Sequence, residues 1–295
     1  MSEAARAPGQ PSSGPATVLG DRVGIAAASR VVVKVGSSSL TTLPGGLDVD
    51  RLRALVDVLG ALRAAGRQVV LVSSGAIAAG LAPLSLTGRP RDLATAQAAA
   101  SVGQLRLVQT YADAFAAHGV TVGQVLLTAD DLTRRSHYRN ASQTIERLLA
   151  LGALPIVNEN DTVATEEIRF GDNDRLAALV AALLRADVLV LLSDVDALYT
   201  RPPSDPAARP ILEVPLGDPL EGVEVGETNT GVGTGGARTK VAAARAAAAA
   251  GVGVLLTSTE RVADALTGAA GGTWFEPAPR PAAAASPYDL AEAAN

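Results

Sequence analysis

Two residues in this sequence are conspicuous for their scarcity. Of 25 lysines and arginines only Lys34 and Lys240 are lysines. Each lies beside a cluster of glycines and hydroxyls: VVKVGSSS around Lys34, and GVGTGGARTK at 231–240. Lysine carries a compact ammonium on a flexible stem, whereas arginine is a planar fork. A site that must bring a point charge onto a phosphoryl oxygen in a tight space calls for the former. Glycine loops running into a helix N-terminus add main-chain donors and the positive end of the helix dipole. In the second loop Thr234, Thr239 and Lys240 add side-chain donors.

A third chemically dense stretch is 157–174, VNENDTVATEEIRFGDND, in which six of 18 residues are acidic and three are asparagine. The alternating acids, glycine and terminal glutamate of a calcium-binding EF-hand loop are absent. Acids accept from an ammonium and amides donate to carboxylate oxygens, so the stretch suits a small zwitterionic substrate. Residues 165–170 are expected to form one arm of a hairpin lid. Other chemistries fit poorly. There is no cysteine, which removes disulfides, a thiolate nucleophile and cysteine-ligated zinc. His118 and His137 are isolated and read as surface or loop residues. GVGTGG formally matches G-x-G-x-x-G, but no buried strand directly precedes it and no acid follows at the ribose-binding distance. Lys240 comes too far after the last glycine for a Walker A loop. Two lysines, anion-binding glycine loops and an acid-rich loop together suit phosphoryl transfer, with charge on an anionic acceptor neutralised by the lysines and by Mg²⁺ carried on a nucleotide.

These residues need a scaffold. Buried-strand patterns occur at 30–35, 68–72, 120–127, 154–157, 187–192 and 252–256, with a last short strand at 272–275. Helical patterns occur at 52–62, 91–118, 140–151, 173–186, 239–250 and 259–266, the second expected to break near Gly103. Asp48 or Asp50 is placed to cap the first helix and Gly66 to end it. Strand and helix alternation predicts a three-layer α/β/α sandwich around a mainly parallel central sheet. Such sheets bind ligands where their strands end. Four strand ends here carry small polar clusters: Gly36-Ser37-Ser38, Ser73-Ser74-Gly75, Asn158-Glu159-Asn160-Asp161 and Ser193-Asp194. The long irregular stretches 158–171 and 201–236 are expected to be functional or flexible.

Taken together, the segments VVKVGSSSL at 32–40, VSSGAIAAG at 72–80, VGQLRLVQ at 102–109, VGQVLLT at 122–128, PIVNENDTVAT at 155–165, FGDND at 170–174, LLSDVDALYT at 191–200 and GVGTGGARTK at 231–240 resemble the amino-acid kinase family, in particular its glutamate 5-kinase branch. That resemblance implies ATP-dependent phosphorylation of the γ-carboxylate of L-glutamate, the first step of proline biosynthesis. It implies that Lys34 and Lys240 stabilise the transferring phosphoryl group and that Asp174 orients them. Ser74, Asp161 and Asn173 match glutamate-binding positions. Gly36, Ser193, Asp194, Thr234, Gly235, Gly236 and Lys240 match nucleotide-binding positions. Mg²⁺ travelling with ATP, feedback inhibition by proline and self-association are further implications. Ser193 stands where the family commonly has threonine, and Ala237 where it often has methionine. Many relatives continue into a small C-terminal domain that is not expected here.

Residues 30–275 are expected to form the kinase domain, with a disordered tail at 1–29 and a low-complexity tail at 276–295. Residues 1–20 lack the basic and apolar regions of a secretory signal. A net charge of -5 and a pI of about 5.2 argue against a nucleic-acid partner. With no long apolar run and no cysteine, a cytoplasmic location is expected. A kinase with another acceptor, a non-catalytic nucleotide sensor and a dinucleotide-dependent dehydrogenase are the competing readings.

Overall fold

Aliphatic β-branched runs bounded by glycine and polar residues become the central strands, and alanine-rich stretches become the helices that cover them. The computed structural model describes residues 22–42, 46–163, 173–221, 223, 236–269 and 271–280. In chain order the elements are β1 (Arg30–Lys34), α1 (Ser37–Leu40), β2 (Thr41–Thr42), β3 (Gly46–Leu47), α2 (Val49–Ala64), β4 (Gln68–Val72), α3 (Ala76–Leu81) and α4 (Leu93–Ala116). Next come β5 (Val122–Leu127), α5 (Arg135–Ala150), β6 (Leu154–Glu159), α6 (Asn173–Leu183) and β7 (Val188–Ser193). The chain continues with β8 (Leu198–Tyr199), β9 (Pro210–Ile211), β10 (Glu213–Val214), α7 (Ala237–Ala249), β11 (Gly253–Ser258), α8 (Val262–Ala265) and β12 (Thr273–Phe275).

One eight-stranded sheet has the order β10-β12-β11-β7-β1-β4-β6-β5. The run from β11 to β5 is parallel, and β12 returns antiparallel to β11. This is the layered, mainly parallel architecture the sequence predicts. Side chains alternate across a strand, so β1 sorts its residues between two cores. Val31 and Val33 join α2 and α4 on one face through Leu52, Leu55, Leu107, Tyr111 and Phe115. Val32 faces the other way, into the layer of α5, α6 and α7. Lys34 shares the parity of Val32, so it is directed to the face where α6 and α7 begin.

Several local signals hold. Asp48 caps α2 by accepting from Arg51 N–H at 3.0 Å, and Gly66 ends the helix with φ +84°. Asp92 caps α4 in the same way through Thr95 N–H. Several elements differ. α4 runs unbroken through Gly103, because that glycine serves packing: a Cβ there would lie 1.8 Å from Ala76 O, and one on Gly80 would lie 1.9 Å from Ala99 O. α3 and α4 therefore touch main chain to main chain. α3 itself carried no periodic signal, and Ser37–Leu40 is a short helix where a turn was expected. α7 starts at Ala237, two residues earlier than its apolar pattern indicated. The helical pattern at 259–266 divides into a 3₁₀ turn at Thr259–Arg261 and the short helix α8.

Parts of both assigned tails pack on the domain. Residues Arg22–Ala27 form a 3₁₀ turn with Ile25 buried, and Ser29 and Arg30 N–H both donate to Asp187 Oδ2. At the other end Ala278 N–H donates to Ala248 O, and Arg280 donates to Gly251 O and Ala186 O while facing Asp187 Oδ1 at 3.8 Å. The expected lid at 165–170 lies outside the described residues.

Candidate active site

The four polar strand ends lie at the ends of β7, β1, β4 and β6, which are consecutive neighbours in the sheet. Because these strands are parallel, all four clusters share one edge. Lys34, the last residue of β1, meets two helix N-termini there. Asp174 is in the first turn of α6, and Thr239 and Lys240 are in the first turn of α7. Lys34 Nζ is 2.6 Å from Asp174 Oδ1, and Lys240 Nζ is 3.1 Å from Asp174 Oδ2. The Lys34, Lys240 and Asp174 side chains are 4%, 9% and 1% exposed. Burial by itself pushes the Asp174 carboxyl up, but the Lys34 and Lys240 ammoniums outweigh it and hold the group at about 2. One carboxylate thus positions two ammoniums and leaves the cluster with an excess positive charge. α6 and α7 pack against each other, and both contribute small residues, Ala177, Ala181, Ala244 and Ala247, to one buried cluster.

Glycines keep room beside this charge. Gly36 has φ −83°, which any residue can adopt, and a Cβ there would sit 3.7 Å from Lys34 Nζ and 3.9 Å from Ser38 Oγ. At Gly236, the N-cap of α7, an added Cβ would meet nothing within 4 Å. Thr239 does something other than its sequence position suggested. Instead of an open donor for an anion, its hydroxyl has Asp174 Oδ2 at 3.0 Å and Gly236 O at 2.9 Å as acceptors. Ser193 ends β7, donates to Asp194 Oδ1 at 3.1 Å, and is paired in register with Ser258 of β11. Asp194 is exposed. Thr234 and Gly235 lie outside the described residues.

The other half of the site lies on β4 and β6. Gly75 has φ +97°, the left-handed conformation that lets Ser73 and Ser74 turn sharply into α3. Asn173, next to Asp174, points its Nδ2 at Ser73 O (2.9 Å), Ser74 Oγ (2.9 Å) and Asn158 Oδ1 (3.0 Å). The structure therefore joins Lys34, Asp174 and Lys240 directly, and ties Ser74 to them through Asn173. Asp161, in the turn after β6, makes no hydrogen bond to this group; burial pushes its carboxyl up to about 6, with only partial opposition from Arg89. Sequence reasoning missed the underside of the site, where Gln104 and Tyr111 reach up from α4. Asn158 Nδ2 donates to Gln104 Oε1 at 2.6 Å, and the Ser73 and Tyr111 hydroxyls are 3.1 Å apart. Their spacing of seven, two helical turns on one face, was the available signal.

Such an arrangement can grip a polyphosphate at the lysine end and an amino acid at the amide end. No group of three or more histidine, cysteine or acidic residues that could hold a metal occurs among the described residues.

Comparison with known proteins points the same way. The model for the amino acid kinase family matches residues 29–258. A glutamate 5-kinase of Salinispora arenicola is 66% identical over 261 residues, covering 88% of this chain and 71% of that protein. One from Clavibacter sepedonicus is 62% identical over 256 residues, covering 87% of this chain and 97% of that protein. The solved structure of carbamate kinase from Giardia lamblia bound to AMP-PNP superposes with a TM-score of 0.60 at 20% identity, over 86% of this chain and all of that one, a likeness of fold.

Proposed function

This chain belongs to the amino acid kinase family, to its glutamate 5-kinase branch, and from that premise we propose that it phosphorylates the γ-carboxylate of L-glutamate with ATP. The products are γ-glutamyl phosphate and ADP, and the reaction opens proline biosynthesis. The observation that carries the chemistry is the pair of buried lysines held by Asp174.

A γ-carboxylate oxygen attacks the terminal phosphorus of ATP, and the bond to the β,γ-bridging oxygen breaks. No proton is transferred, so the protein acts by positioning and electrostatics. Two anions must approach each other, and charge builds on the transferred oxygens. Lys34, beside Gly36, and Lys240, beside Gly236, place their ammoniums where both can face that group. Asp174 fixes them before substrate arrives, so little reorganisation is left for the reaction. Main-chain N–H groups at Gly36 and Gly236 and the side chains of Ser193 and Asp194 are assigned to the nucleotide, with Thr234 and Gly235 assigned on sequence alone. Mg²⁺ bound with ATP would neutralise further charge on the phosphates, and it needs no protein cage of its own. Ser74, Asn173 and Asp161 are assigned to glutamate. Asp161, once ionised, accepts from its ammonium.

The same premise extends to proline as a feedback inhibitor, to a homo-oligomer and to a cytoplasmic enzyme. No described helix is long and apolar enough to cross a membrane. Incubation with MgATP, hydroxylamine and glutamate should yield trapped glutamyl hydroxamate, while N-acetylglutamate and aspartate should yield little. A folded protein that gives none with glutamate would sink this reading.

A further inference from the structure

An asparagine or glutamine amide has a donor end and an acceptor end, and its orientation follows from its neighbours. Two backbone groups settle the orientations under the site. Glu159 N–H can only donate, and it lies 2.9 Å from Asn158 Oδ1. Ser73 C=O can only accept, and it lies 2.9 Å from Asn173 Nδ2. Asn158 therefore turns its oxygen to Asn173 and its NH₂ to α4, where Gln104 Oε1 receives it at 2.6 Å. Two side-chain atoms are left buried without a partner, Asn173 Oδ1 and Gln104 Nε2. A buried acceptor such as Asn173 Oδ1 is costly unless something fills it. In an amino-acid site the natural candidate is the substrate's ammonium.

The geometry points to Gln104 as a positioning residue for the acceptor substrate, an inference that rests on the glutamate reading above. Asn158 is buried, so its NH₂ needs an acceptor, and Gln104 supplies it from outside the site. Without that oxygen Asn158 must rotate to satisfy its donors. It would then withdraw its own oxygen from Asn173, whose Nδ2 anchors on Ser73 and Ser74 and leaves Oδ1 open. α4 brings Gln104 this close because the adjacent Gly103 lies against Ala76 and Gly80 of α3. The residues assigned to the nucleotide sit on β1, β7 and α7 or in the turns beside them, whereas Gln104 and Asn158 sit on α4 and β6.

The test uses two variants. Gln104→Met removes the amide oxygen at similar size and should raise the KM for glutamate about tenfold, the effect of one buried group left unsatisfied. The KM for ATP should stay within about twofold. Gln104→Glu keeps an oxygen to accept from Asn158 Nδ2 and replaces the unpartnered NH₂ with a carboxylate oxygen, whose negative charge strengthens that acceptor, so its KM for glutamate should stay within about threefold of wild type. Unchanged glutamate KM in the Met variant overturns the inference, as does a joint rise in both KM values. Failure of Glu to rescue overturns it too. In the substrate-free protein, the Asn158 side-chain NH₂ should exchange slowly with solvent in wild type and in the Glu variant, but rapidly in the Met variant. Slow exchange in the Met variant refutes the positioning role whatever the activity. A wild type that makes no glutamyl hydroxamate refutes the glutamate reading instead.

Discussion

Replacing Asp174 with asparagine keeps the shape of the side chain and removes one negative charge from between two buried ammoniums. Wild-type Asp174 is held at about 2 against an ordinary 3.8. A difference of that size corresponds to about 2 kcal/mol of stability at neutral pH. The variant also leaves Lys34 and Lys240 facing each other without their counter-ion, and breaking a buried pair in this way costs about 3–5 kcal/mol. The second effect is the larger, so urea unfolding at pH 7 should show a loss of about 3–5 kcal/mol. The pH dependence carries a sign. A depressed carboxylate contributes its stability above its unfolded value and loses it as pH falls through its folded value. The gap between wild type and variant should therefore be full above pH 4 and narrow as pH falls toward 2. Turnover in the hydroxamate assay should fall by about a hundredfold or more, because both ammoniums lose their alignment. An asparagine variant as stable as wild type, or one turning over within twofold of it, would refute the claim that this carboxylate holds the two lysines in place.

Three other outcomes follow from the same geometry. Lys240→Arg should lower turnover by about two orders of magnitude while changing ADP affinity, read by calorimetry, only a few-fold, because a planar fork cannot reproduce a point charge in so closed a space; equal turnover would count against the assignment. Because the Asp161 carboxyl is pushed up to about 6, it must lose its proton to accept the ammonium of glutamate. Glutamate affinity should rise with pH from about 5 and level off above about 7, and Asp161→Asn should weaken binding and flatten the profile; an unchanged profile in the variant assigns the titration elsewhere. Gly103→Ala would put a methyl 1.8 Å from Ala76 O. With main chain on both sides, the loss should reach or exceed the upper end of the usual overpacking range, about 3 kcal/mol, seen as a fall of roughly 6–12 °C in Tm. A wild-type Tm would mean that α3 and α4 do not touch as described.

Much of this molecule is legible in one dimension. Buried strands announce themselves as short aliphatic runs such as Val31–Val33 and Leu189–Leu192, because their side chains are apolar on both faces. Asp48 and Gly66 mark helix ends by chemistry that acts within a few residues. Lys34 and Lys240 stand out because the chain hardly uses lysine otherwise. The clusters at Gly36, Ser74, Asn158 and Ser193 lie at or just past the ends of their strands, so a parallel sheet was enough to put them on one edge. What the sequence could not decide were contacts set by sheet order and helix packing. Lys34 and Asp174 are 140 positions apart and Asp174 and Lys240 are 66 apart; nothing local says that one carboxylate serves both lysines. That follows from β1 lying between β4 and β7, from the parity that directs Lys34 to the α6 face, and from the packing of α6 against α7. The same holds for Thr239, whose hydroxyl is spent on Asp174, and for α3, which lacks a periodic signal and has its place from Gly80 against α4. Gln104 looked like an ordinary polar residue on a long helix. Only the depth at which Gly103 seats that helix brings its oxygen to Asn158.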